Sequence, residues 1–253
     1  SFYDVWAELF RIPYKQMPLD ENFRLKIDDY KGENGGIVFP NPNAPTGIYE
    51  SLDHVEEIIK NNPDVIVIVD EAYIDFGGET ALPLIDKYDN LVVVRTFSKS
   101  RSMAGLRIGY AISNPELIKA LNDVKYSYNS YTMNRPSLVL GVESIHDDAY
   151  FREKVGQIIA TRERFVKEIA ELGFTCLPSS ANFVFATHES IPAKKIFAAA
   201  KENNIYVRYF DKPRIDNYLR ISIGTDAEMD AFVAFLKLSL IHISEPTRHA
   251  QIS

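Results

Sequence analysis

The chain has 253 residues, 46% of them hydrophobic and 25% charged, a balance that suits a folded protein with a sizeable core and excludes an intrinsically disordered one. Its formal net charge of −7 argues against a nucleic-acid-wrapping protein, because the phosphate backbone is bound chiefly by Lys and Arg. The single cysteine, Cys176, excludes an internal disulfide and a cysteine zinc cluster, and no metal site is expected. The longest aliphatic run, residues 65–69, is too short to span a bilayer, so no membrane partner is expected. No basic segment followed by an apolar one opens the chain, and the expected compartment is the cytoplasm.

The chain opens on the amphipathic run 2–10, which reads as the interior of a domain. Residues 36–39 form a short apolar run ended by Pro40. Ser51 then caps a helix whose apolar face carries Val55, Ile58 and Ile59. Residues 65–69 are β-branched throughout, the mark of a strand buried on both faces of a parallel sheet, and residues 91–94 repeat the signal. Residues 107–112 read as a third strand. Asn114-Pro115-Glu116 opens a helix through about Val124, and another covers 136–145. From Tyr150 to Leu172 apolar residues recur near the helical period, giving a long helix that Gly173 stops. Short strands follow at 174–177, 182–185, 205–207 and 218–223, between helices near 192–203 and 226–238. After Leu238 the pattern breaks, and 240–253, with Pro246 in it, reads as a non-native or disordered tail. The expected architecture is α/β with a mainly parallel sheet over 1–147, then a smaller C-terminal α+β domain over 148–239 that includes the long connecting helix.

In an open α/β sheet, ligands gather beyond the carboxyl ends of the strands. Here one strand ends in Asp70-Glu71-Ala72-Tyr73 and the next in Arg95-Thr96-Phe97-Ser98-Lys99-Ser100. Parallel strands would bring an acid, a phenol, hydroxyls and an amine to one rim. That set suits pyridoxal 5'-phosphate, which needs a lysine for a Schiff base, a carboxylate for its pyridinium nitrogen, and hydroxyl and guanidinium groups for its phosphate. Lys99 would supply the amine and Asp70 the carboxylate. Thr96, Ser98 and Arg107 would hold the phosphate, and Tyr73 would donate to the ring oxygen. Singly, each has a plainer reading: Asp70 a turn residue, Lys99 a solvated charge, Arg107 the start of an edge strand, Tyr73 ordinary core. The joint pattern carries the argument.

Asn41-Pro42-Asn43-Ala44-Pro45-Thr46-Gly47, then Asp70-Glu71-Ala72-Tyr73, then Thr96-Phe97-Ser98-Lys99 with Arg107 beyond, resembles the fold-type I, class II pyridoxal-phosphate aminotransferases. Within them the chain is most similar to the histidinol-phosphate aminotransferases, from Ser1 to about Leu238. The resemblance implies Lys99 as the Schiff-base lysine, Asp70 as the pyridinium partner, Tyr73 on the ring hydroxyl, and Thr96, Ser98 and Arg107 on the phosphate. Relatives place an asparagine on the ring oxygen where this chain has Ala44; Asn43, one residue earlier, is the candidate here. Arg220 matches the arginine that clamps the substrate carboxylate, Arg208 resembles the one that binds the phosphate of the substrate, and Asn182 resembles an asparagine near the site. Strand alternation places Leu219, Ile221 and Ile223 on one face and Arg220 with Ser222 on the other.

The resemblance further implies an amino-group transfer from L-histidinol phosphate to 2-oxoglutarate within histidine biosynthesis, by a homodimer. It implies that relatives carry an N-terminal segment before the position of Ser1, relative to which this chain is truncated. Threonine-phosphate decarboxylase, another class II aminotransferase and an inactive fragment acting as an interaction surface are the competing readings. A nucleotide-binding module would need a glycine-rich phosphate loop and a serine hydrolase a G-x-S-x-G turn; the sequence has neither.

Overall fold

The computed structural model describes residues 2–244. Its first sheet has strands β1 (Ile37–Pro40), β2 (Val67–Asp70), β3 (Leu91–Thr96) and β4 (Gly109–Ile112), in that spatial order. β1, β2 and β3 are parallel and β4 runs antiparallel on the edge. Helix α1 (Phe2–Leu9) precedes this sheet, and α2 (Leu52–Lys60) crosses from β1 to β2. The Ser51 hydroxyl accepts from the His54 amide, the expected N-cap. Val55, Ile58 and Ile59 of α2 are fully buried against Ile37, Phe39, Val67, Val69, Leu91 and Val93. Each such side chain contributes about 1.5–3 kcal/mol of burial.

The opposite face of this sheet departs from expectation. Val38 and Ile66 are each 41% exposed, so residues 65–69 are not buried on both sides. Hydrogen-bonded pairing covers only Val67–Asp70. The β-branched run reports one buried face, because α2 covers only that one. β4 also starts later than expected. A turn at Ala104–Leu106 ends in Arg107 at φ 57°, a left-handed conformation outside the extended range of a regular strand.

Helices α3 (Pro115–Tyr128), α4 (Arg135–His146) and α5 (Asp148–Ala170) follow, with Asn114 and Asn134 capping the first two through their side chains. The second sheet has β5 (Phe174–Cys176), β6 (Phe183–His188), β7 (Arg208–Tyr209) and β8 (Leu219–Ser222), in the order β5-β6-β8-β7 and antiparallel throughout. Helices α6 (Ala193–Glu202) and α7 (Asp226–Ser244) pack with α5 around it. Phe165 and Ile169 of α5, Val184, Ala186, Ile196, Leu219, Ile221, Phe232 and Leu236 form this second core. β7 begins beyond the expected 205–207. Asn204 at φ 59° and the Ile205 amide bonded to Ala200 keep that segment wrapped on the end of α6. Helix α7 continues through Ser244, past the break in pattern at 240; the rest of that stretch, 245–253, lies outside the described residues. Among the described residues no helix is long and apolar enough to cross a membrane.

The two sheets meet along a tight seam. The Arg162 guanidinium of α5, itself buried, donates to the carbonyls of Phe76 at 3.0 Å and Ala181 at 2.7 Å. Gly47, at φ 80°, packs so closely that a Cβ there would lie 2.5 Å from Ser179 Oγ, and its carbonyl accepts from the Ser180 amide. Gly47→Ala is therefore expected to lower stability by about 1–3 kcal/mol in thermal unfolding, from strain and overlap together. Gly105→Ala, whose Cβ would meet nothing within 4 Å, is the control expected to leave it nearly unchanged.

Candidate active site

The rim beyond β2 and β3 is built by their parallel register, which sets Asp70 beside Val94. Alternation puts Asp70 and Thr96 on the face away from the α2 core. The loop of residues 41–47 starts on the same rim, since the Asn41 amide donates to the Asp70 carbonyl at 2.8 Å. Buried Asn41 staples that loop through paired bonds with the Glu50 backbone. Both X-Pro bonds of the loop, Asn41–Pro42 and Ala44–Pro45, are cis.

Lys99 lies in the turn after β3, half-buried, with Nζ 5.3 Å from the centre of the Tyr73 ring. No carboxylate pairs with it among the described residues. The Tyr73 ring meets Phe183 edge-on at 5.1 Å, and the Arg220 guanidinium lies 5.2 Å over Phe183. An amine, a phenol and a guanidinium from the two sheets are thus linked through the rings of Tyr73 and Phe183.

Asp70 is half-buried and accepts from the Ala72 amide at 3.0 Å. Its other oxygen accepts from the phenol of Tyr3 on α1. Burial, with the Asp70 carboxylate beside it, pushes that phenol well above its ordinary value, so Tyr3 stays protonated as donor. Sequence reasoning missed Tyr3. In an amphipathic run a tyrosine reads as apolar filler, and only a long-range contact turns it to the rim.

The expected phosphate group is partly assembled. The Thr96 hydroxyl donates to the Ile108 carbonyl at 3.1 Å and accepts from the Ser98 amide at 3.0 Å. This draws the Ser98 turn against the segment carrying Arg107. The exposed Arg107 guanidinium itself folds back to the Ala104 carbonyl at 2.9 Å. The Asn43 side chain works within its loop, accepting from the Thr46 hydroxyl at 3.0 Å. Asn182 is half-buried at the entry to β6, where its carbonyl accepts from the Ile223 amide at 2.9 Å.

Arg208 and Arg220 stand directly opposite each other across β7 and β8. Like charges in that relation are destabilising unless an anion lies between them. Phe210 serves both, with guanidinium distances of 5.5 Å and 6.0 Å. Leu219, Ile221 and Ile223 are buried on the other face, as alternation requires. The Arg220 Nε is buried with no hydrogen-bond partner among the described residues. A buried donor left open costs about 1–3 kcal/mol, which an anionic ligand would recover. The residues present therefore fit a cofactor held by an amine and a carboxylate, and an anionic substrate held by paired arginines. Cys176 is no rival nucleophile: burial pushes its thiol up to about 12.

A family model for class I and II aminotransferases matches residues 1–236. The chain belongs to that family. It is 51% identical over 237 residues to the histidinol-phosphate aminotransferase of Clostridium botulinum strain 657, covering 94% of this chain and 67% of that one. The crystal structure of the histidinol-phosphate aminotransferase from Clostridium acetobutylicum superposes with a TM-score of 0.88 at 25% identity, over 95% of this chain and 75% of the other. That of the Sinorhizobium meliloti enzyme, in complex with pyridoxal-5'-phosphate, has a TM-score of 0.80 at 26% identity, over 90% of this chain and 64% of the other. The fold is accordingly that of the fold-type I pyridoxal-phosphate aminotransferases, as the motifs implied.

Proposed function

We propose that this chain is the histidinol-phosphate aminotransferase of its source, using pyridoxal 5'-phosphate to move an amino group from L-histidinol phosphate to 2-oxoglutarate in histidine biosynthesis. The curated relative at 51% identity carries that name, which favours the transaminase over threonine-phosphate decarboxylase. The feature that carries the substrate class is the facing pair Arg208 and Arg220, with the open Nε of Arg220. When bound, the cofactor supplies an electron sink conjugated to the substrate's Cα. Lys99 holds the cofactor covalently and, when free of it, takes up and returns the Cα proton. Asp70 pairs with the ring nitrogen and Tyr73 donates to the ring oxygen, with Asn43 as the second candidate there. Asp70 already accepts from the Tyr3 phenol and the Ala72 amide, and a carboxylate has about four acceptor positions, so the ring nitrogen can be a third donor to it. Thr96, Ser98 and Arg107 take the cofactor phosphate. The planar fork of Arg220 takes the carboxylate of glutamate or the phosphate of the other substrate, Arg208 adds the second phosphate contact, and Asn182 borders the site.

We take residues 1–147 as the cofactor-binding domain, 148–239 as the smaller one, and the cytoplasm as the compartment. A homodimer is supported by the apolar surface of α4, where Leu138, Val139, Leu140, Val142 and Ile145 are about half exposed.

Arg208→Ala is the test of substrate choice. It is expected to raise the KM for L-histidinol phosphate at least about ten-fold more than that for glutamate, because a lost charge-assisted hydrogen bond is worth about 1.5–3 kcal/mol. Equal losses for both, or carbon dioxide release from threonine phosphate in place of glutamate formation, would contradict the assignment.

A further inference from the structure

Asp70 and Lys99 sit on different strand ends, so something must fix their separation. The residue after each is buried: Glu71 is 2% and Ser100 5% exposed. Neither belongs to the proposed chemistry, yet the two are joined through the protein. Glu71 accepts from Arg95 Nε at 3.0 Å and Nη2 at 2.8 Å, from the Thr80 hydroxyl at 2.7 Å, and from the Ala81 amide at 2.6 Å. Arg95 Nη1 lies 3.8 Å from Asp75, and the other oxygen of Asp75 accepts from the Ser100 hydroxyl. A second anchor holds the far side of the turn, where Arg101 donates to the Ser144 carbonyl and lies 4.1 Å over the Phe151 ring.

We propose that the Glu71–Arg95–Asp75–Ser100 chain is a positioning device that sets the Lys99 amine relative to the Asp70 carboxylate. The inference rests on the proposed role of Lys99. A buried ion pair of this kind gains little net stability over apolar residues of the same size, so stability alone does not account for it. Its ends, Glu71 and Ser100, directly follow Asp70 and Lys99, the two residues on whose separation the reaction geometry depends. A displacement of about 1 Å there costs about a hundred-fold in rate. Arg95, Asp75 and Ser100 touch neither cofactor nor substrate in this reading; they act through Lys99.

Two probes separate positioning from ordinary support. Pyridoxal phosphate condenses with the Lys99 amine, losing water, and borohydride reduces the resulting carbon–nitrogen double bond to a stable adduct. Pyridoxamine phosphate occupies the same seat but has no aldehyde to condense. Ser100→Ala and Asp75→Asn are expected to slow trappable attachment at Lys99 about ten-fold or more, while pyridoxamine phosphate affinity stays within about two-fold of the parent. Ser100→Thr, which keeps the hydroxyl, restores attachment. Attachment at the parent rate in both variants overturns the inference, as does a parallel loss of both probes in Ser100→Ala and Asp75→Asn. If the unsubstituted chain is not labelled at Lys99, the functional reading itself fails and takes the inference with it. Labelled parent chain with unaffected variants sinks the positioning role alone.

Discussion

Lys99→Ala should abolish covalent cofactor attachment and the visible absorbance that goes with it. Lys99 is half-buried with its amine 5.3 Å from the centre of the Tyr73 ring, and it is the only lysine in the segments 70–76 and 95–108 that end β2 and follow β3. Transaminase activity should fall by on the order of 10² to 10⁴ from the lost proton transfer alone, before the loss of attachment is added. Folding should be nearly indifferent. Lys99 has no ion pair among the described residues and only its contact over the Tyr73 ring to lose, so its truncation should change stability by no more than about 1 kcal/mol. Absorbance titration with pyridoxal phosphate and a thermal melt of the same sample check both halves. A retained visible band would remove Lys99 from its assigned place.

Arg220→Met should divide function from stability. The fork of Arg220 is expected to make at least two charge-assisted hydrogen bonds to the substrate anion, each worth about 1.5–3 kcal/mol, so kcat/KM should fall by roughly 10² to 10⁴. In the free protein the same side chain is a cost. Its Nε is buried and open, and Arg208 faces it across the strand pair. Against this stand, among the described residues, its contacts over Phe183 and Phe210, each worth about 0.5–1 kcal/mol. Arg220→Met keeps an apolar stem on those rings and removes the charge, so the melting temperature should hold or rise. Loss of activity with a matching loss of stability would make Arg220 a structural residue.

The parts legible in the sequence were those whose signals are local. β-Branched runs located β2 and β3, and the polar residues at their ends marked the rim, because a parallel sheet gathers strand ends without further instruction. Caps at Ser51 and Asn114 and the stop at Gly173 were read from single residues. The period of two placed Arg220 opposite a buried face. What escaped depends on contacts far apart in the chain. Nothing near Tyr3 points to Asp70. Phe183 read as a strand residue and Phe210 fell between the expected elements, yet they carry the arginines over their rings. Glu71 passed as the second letter of a motif, although its carboxylate is saturated by Arg95, Thr80 and Ala81. Burial on both faces of β2 was overestimated for the same reason, since a hydrophobic run does not say what covers it.

The central claim is that the carboxylate ending β2 and the amine following β3 hold one cofactor between them. It is tested most directly by reducing the chain with borohydride in the presence of pyridoxal phosphate and mapping the modified peptides, alongside Asp70→Asn treated identically. The account expects one dominant label, on the peptide containing Lys99, and much weaker cofactor retention in the Asp70 variant. Label spread over surface lysines, or a Lys99 label whose yield ignores the loss of the Asp70 charge, would contradict it.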